Sequence, residues 1–488
     1  MIRLTAPAAQ LRPNERYGLA VLLDTSRLLT VEDPAADVVR LTITNERRDD
    51  YDAFLGGRWA LAHGDGEVRL SRNVLAYFCV VAGAVEEQQS ESYNRHDRVP
   101  SHENPLVRVE RWREPVLSRH AAALRTAVQA AAGARLVRCL APWPGGRRWA
   151  AAFTHDLDVV AGWPAFTLLR LLELLQRGEV GRAARTTLAG LTAWRSPVWQ
   201  AVDQLLRAAI GVGVRSTWFV ISGTPSLRSW SRGDITYRPE SRVARRILSA
   251  VREQGNEIGL HGSFASWLDA ATLRGERERL AAITGGLPGG VRQHFLRMRT
   301  GATQRAMLAA GFRYDATYGF PDRNGFRLGV ADVVPSWDAE TQTSAALDEV
   351  PLVWMDRALS KYGGVEDPDA WIDDGLSLAT ACREVEGLWV GLWHPNLTPA
   401  LGFPGAPEAY GRLVQGVLAG PYPPFVGTLG ELVAWRVARR SVRVRTVTSE
   451  GRLDLVADGP GPYPWPLVLE DGEGRVVETC AWPARTRG

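Results

Sequence analysis

The 488-residue sequence predicts an α/β fold: a parallel sheet closed or nearly closed as a (β/α) barrel, preceded by an α/β unit and followed by a small β appendage. Three observations predict it. From Trp149 to about Arg440, apolar strand-length runs alternate with helix-length amphipathic runs, as a parallel sheet with helical crossovers requires. Polar residues in that stretch cluster where the apolar runs end, in THDLD, LHGS, RQHF and LWHPN. The composition, 45% hydrophobic and 23% charged, is that of an ordinary folded protein.

The elements follow in order. Residues 1–145 form the first unit, in which LAVLLDT and VVRLTIT read as strands and VLAYFCVVAGAV as an apolar strand or a buried helix. The stretch SYNRHDRVPSHENP is polar and is expected to lie against the barrel or line its cleft. Pro115 opens an amphipathic helix, and APWPGGRR reads as a linker. The second unit, 146–440, starts with the strand WAAAFTHDLD and a helix with Pro164 near its start. A helix over 196–214, the strand RSTWFVIS, a helix over 239–255 and the strand NEIGLHGS continue the alternation. Then come a helix capped by Asp269, the strand GVRQHFLR, a helix at 302–311, the strand DEVPLVWMD, a helix at 368–385 and the strand LWVGLWHPN. Two last helices end near Arg440, and VRVRTVT, RLDLVA and WPLVLED in 441–488 read as short strands between turns.

Charge and cysteine content narrow the function. The net charge is +4 with a sequence pI near 9.0. The basic residues are dispersed among acids, as in RGERERL, and form no stripe that would read as a nucleic-acid surface. All but one of the 58 basic residues are arginine, the exception being Lys361. Four scattered cysteines make neither a disulfide framework nor a zinc ribbon. No apolar run reaches the ~18 residues of a membrane span, and MIRLTAPAAQLRPNER carries no signal-peptide core. A cytoplasmic protein is the expectation; the oligomeric state is not legible.

Four histidines, His155, His261, His294 and His394, sit at strand ends of the second unit, the rim at which barrel enzymes carry their chemistry. Asp156 and Asp158 are two apart on a strand, so both can point to one face. Two adjacent carboxylates need a cation or an arginine between or beside them. One can bind a metal while the other acts as general base; alternatively THDLD is a polar turn that caps the next helix.

These pieces, FTHDLD, RSTWFVIS, NEIGLHGS, GVRQHFLR, RYDATYGF with GFRLG, EVPLVWMD and GLWHPN, occur in the order and spacing of a known family. Over roughly 60% of its length the chain resembles the polysaccharide deacetylases, the NodB-homology domain of carbohydrate esterase family four, and within them a bacterial subgroup with a THDxD first motif. The resemblance implies a distorted barrel of that type, a divalent metal that is often zinc, and removal of N- or O-acetyl groups from a carbohydrate or glycoconjugate. It implies Asp156 as base, Asp158 and His261 as metal ligands, Arg292 as the residue orienting the base, and His394 as general acid. The family's second metal histidine falls on Ala265, with Ser266 a poor substitute, so another ligand is needed; His294 is the first candidate and His155 the second. Asp315 and Asp322 are candidates for the aspartate that supports His394. Arg327 either binds an anionic group or pins its loop. Trp149, Trp218, Trp354 and Trp389 are read as core, whereas Trp267, Trp337 and Trp393 could flank a substrate. Two other readings stay open: a hydrolase of non-sugar amides on the same fold, and a sugar-binding or scaffold protein that has lost its metal.

Overall fold

The structure, a computed structural model, describes residues 1–4, 11–33, 36–45, 49–160, 163–192, 196–447, 453–457, 465–471 and 473–482. The first unit has a four-stranded sheet of β1 (Ile2–Leu4), β2 (Val39–Thr44), β3 (Leu61–Gly64) and β4 (Glu67–Ser71), in the order β1-β2-β4-β3. Helices Pro13–Ser26, Arg72–Ala82 and Val116–Ala132 accompany it. LAVLLDT, expected as a strand, is helical: Pro13 occupies the first turn, and Glu15, Gly18, Leu19, Leu22 and Ser26 are buried at helical spacing. VLAYFCVVAGAV resolves to the buried helix.

The linker APWPGGRR, with β5 (Cys139–Leu140) before it, leads into a ten-stranded sheet. Its strands are β6 (Ala150–Leu157), β7 (Thr217–Ile221), β8 (Glu257–Gly262), β9 (Gly290–Gln293), β10 (Tyr314–Asp315), β11 (Val334–Asp338), β12 (Thr343–Glu349), β13 (Trp354–Met355), β14 (Leu388–Leu392) and β15 (Phe425–Val426). The order is β11-β12-β10-β9-β8-β7-β6-β14-β13, with β15 also on β6, and every pair is parallel except β11–β12. The sheet is curled but not closed: among the described residues no strand pairing joins β13 to β11. DEVPLVWMD is two strands rather than one, because the pairing of β12 stops before Pro351, which has no N–H to donate.

β6 is buried on both faces, which explains its run of alanines. Ala150 and Ala152 join Phe219, Tyr314, Val390 and Leu392 inside the curl, whereas Ala151, Phe153 and Leu157 meet Val198, Val202 and Ile247 of the outer helices. Helix Leu429–Arg440 closes the end of the sheet where the strands begin, its first N–H groups donating to Thr217 and Glu257. The opposite end, where the strands finish, is left open.

The three stretches of chain share one body. Tyr17 of the first helix donates to Pro335 O and packs on Trp337, and Asp24 pairs with Arg436, Arg439 and Arg440. The last strands are β16 (Arg443–Val447), β17 (Leu453–Val456), β18 (Leu467–Glu470) and β19 (Val476–Cys480). Thr448 of VRVRTVT and Arg452 of RLDLVA lie outside the described residues. β18 pairs with β5 and β19, so these two C-terminal strands complete a sheet begun before the ten-stranded one, while β16 and β17 pair with each other. Among the described residues no helix is long and apolar enough to cross a membrane.

Candidate functional site

Register brings the site together. Asp156 lies level with Phe219 and Phe219 with Gly259, so Asp158 and His261, each two residues on, reach the same level. His261 is in turn the register partner of Arg292. Gly259 is required here: a Cβ would fall 2.6 Å from the Phe219 ring inside the curl. Leu392 of β14 is level with Thr154, which places His394 just past the rim on the other side of β6.

Arg292 is fully buried, with Nε donating to Ala316 O (2.9 Å) and Nη1 to Thr154 Oγ1 (3.0 Å) and Asp156 Oδ1 (2.8 Å). Its guanidinium lies 4.3 Å over the Phe219 ring. One carboxylate oxygen of Asp156 is therefore held, and the other, Oδ2, lies 3.6 Å from His261 Nε2.

Asp158 follows β6, the chain there pinned by Thr236 Oγ1 donating to Asp158 O and Tyr237 Oη donating to Leu157 O. Its buried Oδ1 has no hydrogen-bond partner, yet lies 3.2 Å from His261 Nε2 and 3.7 Å from His294 Nε2. Each of these rings is fixed from its other nitrogen, His261 Nδ1 by Arg292 O (2.8 Å) and His294 Nδ1 by Asp234 Oδ1 (2.8 Å). With both Nδ1–H groups donating, both Nε2 lone pairs face Asp158. The three ligand atoms lie within 4.8 Å of one another. Two imidazoles and a carboxylate, with room for a further ligand, match a catalytic zinc donor set. The electrostatics agree. Burial alone would raise the carboxyl of Asp158, but the facing His261, His294 and His394 rings hold it well below the usual range. Burial opposes a proton on His261, and Asp156 and Asp158 reverse that. The carboxylates that favour a proton there favour a metal cation equally.

His294 lies beyond the end of β9, where Phe295 (φ 61°) and Leu296 (φ 50°) turn the chain sharply. Such backbone is costly away from glycine and persists where surroundings fix it; here Phe295 is stacked between His294 (3.9 Å) and His96 (4.9 Å). His155 points to the opposite face, as alternation requires, with Nδ1 on Trp393 O and its ring on Trp218 and Tyr410. It is not among the ligand group. Ala265 is exposed, and Ser266 is turned to Ser263 O, away from the ligands.

His394 is held twice by Asp356: its Nδ1 lies 2.6 Å from Oδ1 and its backbone N–H donates to Oδ2 (2.6 Å). Nε2 is left facing Asp158 Oδ2 at 3.8 Å. Burial works against a charged ring, and the carboxylates of Asp356, Asp158 and Asp156 outweigh it and raise the pKa. The support for His394 is thus Asp356, not Asp315 or Asp322. Asp315 is buried beside Thr317, and Asp322 binds Ser101. The signal for Asp356 was present in EVPLVWMD, where an apolar run ends on a carboxylate. Asp234 sits in a loop with no motif around it.

A cleft of about 430 Å³ opens over these groups. Asp156, Asp158, His261, His294 and His394 all line it; Arg292 lies behind Asp156. The first unit contributes through SYNRHDRVPSHENP, whose Arg98 reaches the cleft and donates to Phe295 O. Trp267, Trp337 and Trp393 do not line it; the aromatic lining is Phe166, Phe295, Tyr362 and Phe403. Trp149, Trp218, Trp354 and Trp389 are core residues. Arg327 pins its loop, paired with Glu87 at 2.9 Å.

No protein-family model and no curated protein matches this sequence. Solved structures similar to it include a protein assigned as a polysaccharide deacetylase from Mycobacterium smegmatis, with 23% identity over 60% of this chain and 91% of that one and a TM-score of 0.39. One assigned likewise from Pseudomonas aeruginosa PAO1 has 16% identity over 60% and 91%, with a TM-score of 0.38. A carbohydrate esterase family 4 pseudoenzyme from Bacillus anthracis has 11% identity over 60% and 66%, with a TM-score of 0.30. Neighbours this distant carry no functional weight, and the case rests on the residues of the cleft.

Proposed function

We propose that this chain is a metal-dependent hydrolase that removes acyl groups, acetyl foremost, from a carbohydrate or glycoconjugate. The observation that carries the reading is the meeting of Asp158, His261 and His294 within 4.8 Å, flanked by the Arg292-bound Asp156 and the Asp356-bound His394. The order of the sequence motifs supports it independently. A divalent ion such as zinc, held by Asp158, His261 and His294, would supply Lewis acidity toward the acyl carbonyl and acidify a water.

The chain's own groups do the rest. Asp156 accepts the water's proton on Oδ2, since Arg292 occupies Oδ1 and fixes the carboxylate plane. As the new C–O bond forms and the C–N or C–O bond to the sugar breaks, His394 Nε2 delivers a proton to the departing amine or alkoxide. Asp356 keeps the Nδ1 proton in place and stabilises the ring's charge. A sugar-binding protein without catalysis would need neither the buried arginine on Asp156 nor the doubly held histidine.

Acetate release from acetylated sugars tests the reading. Asp156→Asn keeps the volume but cannot take the proton, so turnover falls roughly 10²–10⁴-fold while metal content is unchanged. Full activity in this variant contradicts the assignment of the base, and loss of metal with activity means that the two carboxylates are exchanged.

A further inference from the structure

The lining of the cleft is rich in cations. Arg98, Arg170, Arg177, Arg232, Arg357 and Lys361 line it, against a single acid, Glu173, besides the two carboxylates of the floor. Glu173 already serves Arg170 (2.7 Å) and Arg177 (2.6 Å). Asp156 is taken by Arg292, and Asp158 faces the imidazoles. Arg98, Arg357 and Lys361 have no carboxylate partner among the described residues. The Arg357 guanidinium donates to Asn396 Oδ1 (3.2 Å) and lies 5.1 Å over Phe403. Lys361 is exposed at the mouth, in the single π-helical turn Ala358–Tyr362 that follows Arg357. Burial in the cleft disfavours the charge on Arg357, outweighing the attraction of Asp356 and Asp158. Basic groups that form no ion pair of their own and share one cleft gain from the arrival of an anion. Elsewhere this chain places arginine at its basic positions, and its one lysine stands here. A compact ammonium with three rotatable donors suits a phosphate as a point charge, beside the planar fork of an arginine.

We propose that Arg357 and Lys361, with Arg98, form a subsite for a phosphoryl group, so that the substrate is an acylated sugar phosphate. This rests on the hydrolase reading for the word substrate, but the subsite itself is a matter of binding. Three cations from two segments of chain suit the three terminal oxygens of a tetrahedral dianion better than the two coplanar oxygens of a carboxylate.

Calorimetric titration of the full chain, zinc-loaded and after EDTA treatment, with N-acetylglucosamine 1-phosphate, N-acetylglucosamine and glucuronate tests it. The phosphorylated sugar should bind at least about tenfold more tightly than its parent in both preparations, the worth of one charge-assisted hydrogen bond. Lys361→Gln, at an exposed position, and Arg357→Gln should each remove most of that preference and leave the parent sugar's affinity unchanged. Equal affinities, a preference that survives both substitutions, or one that vanishes with the metal would overturn the proposal. Glucuronate binding as tightly as the phosphosugar would overturn the phosphoryl assignment. Because binding is the readout, absence of acetate release would sink the hydrolase reading and leave this result standing.

Discussion

Asp356 accepts from both the backbone N–H and the Nδ1–H of His394, so it sets the ring's tautomer as well as its direction. Asp356→Asn keeps an acceptor for the backbone but loses the charge that stabilises the imidazolium. The expected result is a fall in kcat of about 10²-fold with KM nearly unchanged, read from initial rates of acetate release. An unaltered kcat would leave His394 without the role given to it. Asp156, Asp158, His261, Arg292 and His394 could be picked out in the sequence because each closes an apolar run inside a motif of fixed order. Asp356 closes an apolar run in the same way, but its pairing with His394, 38 residues on, leaves no local pattern, and Asp234, 60 residues from His294 in a loop without a motif, gives no signal at all.

Among the elements, β6 shows how far periodicity reaches. Alternation correctly separates Asp156 from His155, because a strand allows only two side-chain directions. Periodicity fails for the turn just after His294, where Phe295 and Leu296 take left-handed backbone that no residue type announces. It also fails for LAVLLDT, where five consecutive apolar or small residues satisfy strand and helix alike, and only Pro13 and the buried spacing decide. In that helix Gly18 approaches the helix Arg72–Ala82 so closely that a Cβ would fall 1.8 Å from Leu75 O. Gly18→Ala therefore separates the two helices. Despite the better helix propensity of alanine, urea unfolding should show a loss of roughly 1–3 kcal/mol; a stabilised variant would show that the contact is not limiting.

Across the molecule, the first helix and the last helix of the curled sheet are tied by charge. Asp24 is buried among Arg436, Arg439 and Arg440; burial opposes its charge, but the three guanidinium groups prevail and lower its pKa to about 2. Asp24→Asn should cost about 3 kcal/mol, because the arginines stay buried with less compensation. The native carboxyl is lower than the unfolded one. Its contribution is therefore fully present above the ordinary aspartate range and is lost as pH falls toward 2, so the gap between wild type and variant should narrow below about pH 4. A gap unchanged down to pH 2.5 would contradict this. The pairing of β5 with β18, more than 300 residues apart, was not legible, since strand partners that far apart carry no signal in either segment. The alternation that positions the site was legible, because each strand–helix unit states itself locally. Most depends on one collective property, the gathering of Asp158, His261 and His294 at three strand ends, where a single ion would be held. Metal content after zinc reconstitution, measured by mass spectrometry on wild type, His261→Ala and His294→Ala, tests it most directly. The prediction is about one ion per chain in the wild type and its loss in both variants; a wild type that takes up no divalent ion, or a His294→Ala protein that keeps its full complement, would contradict it.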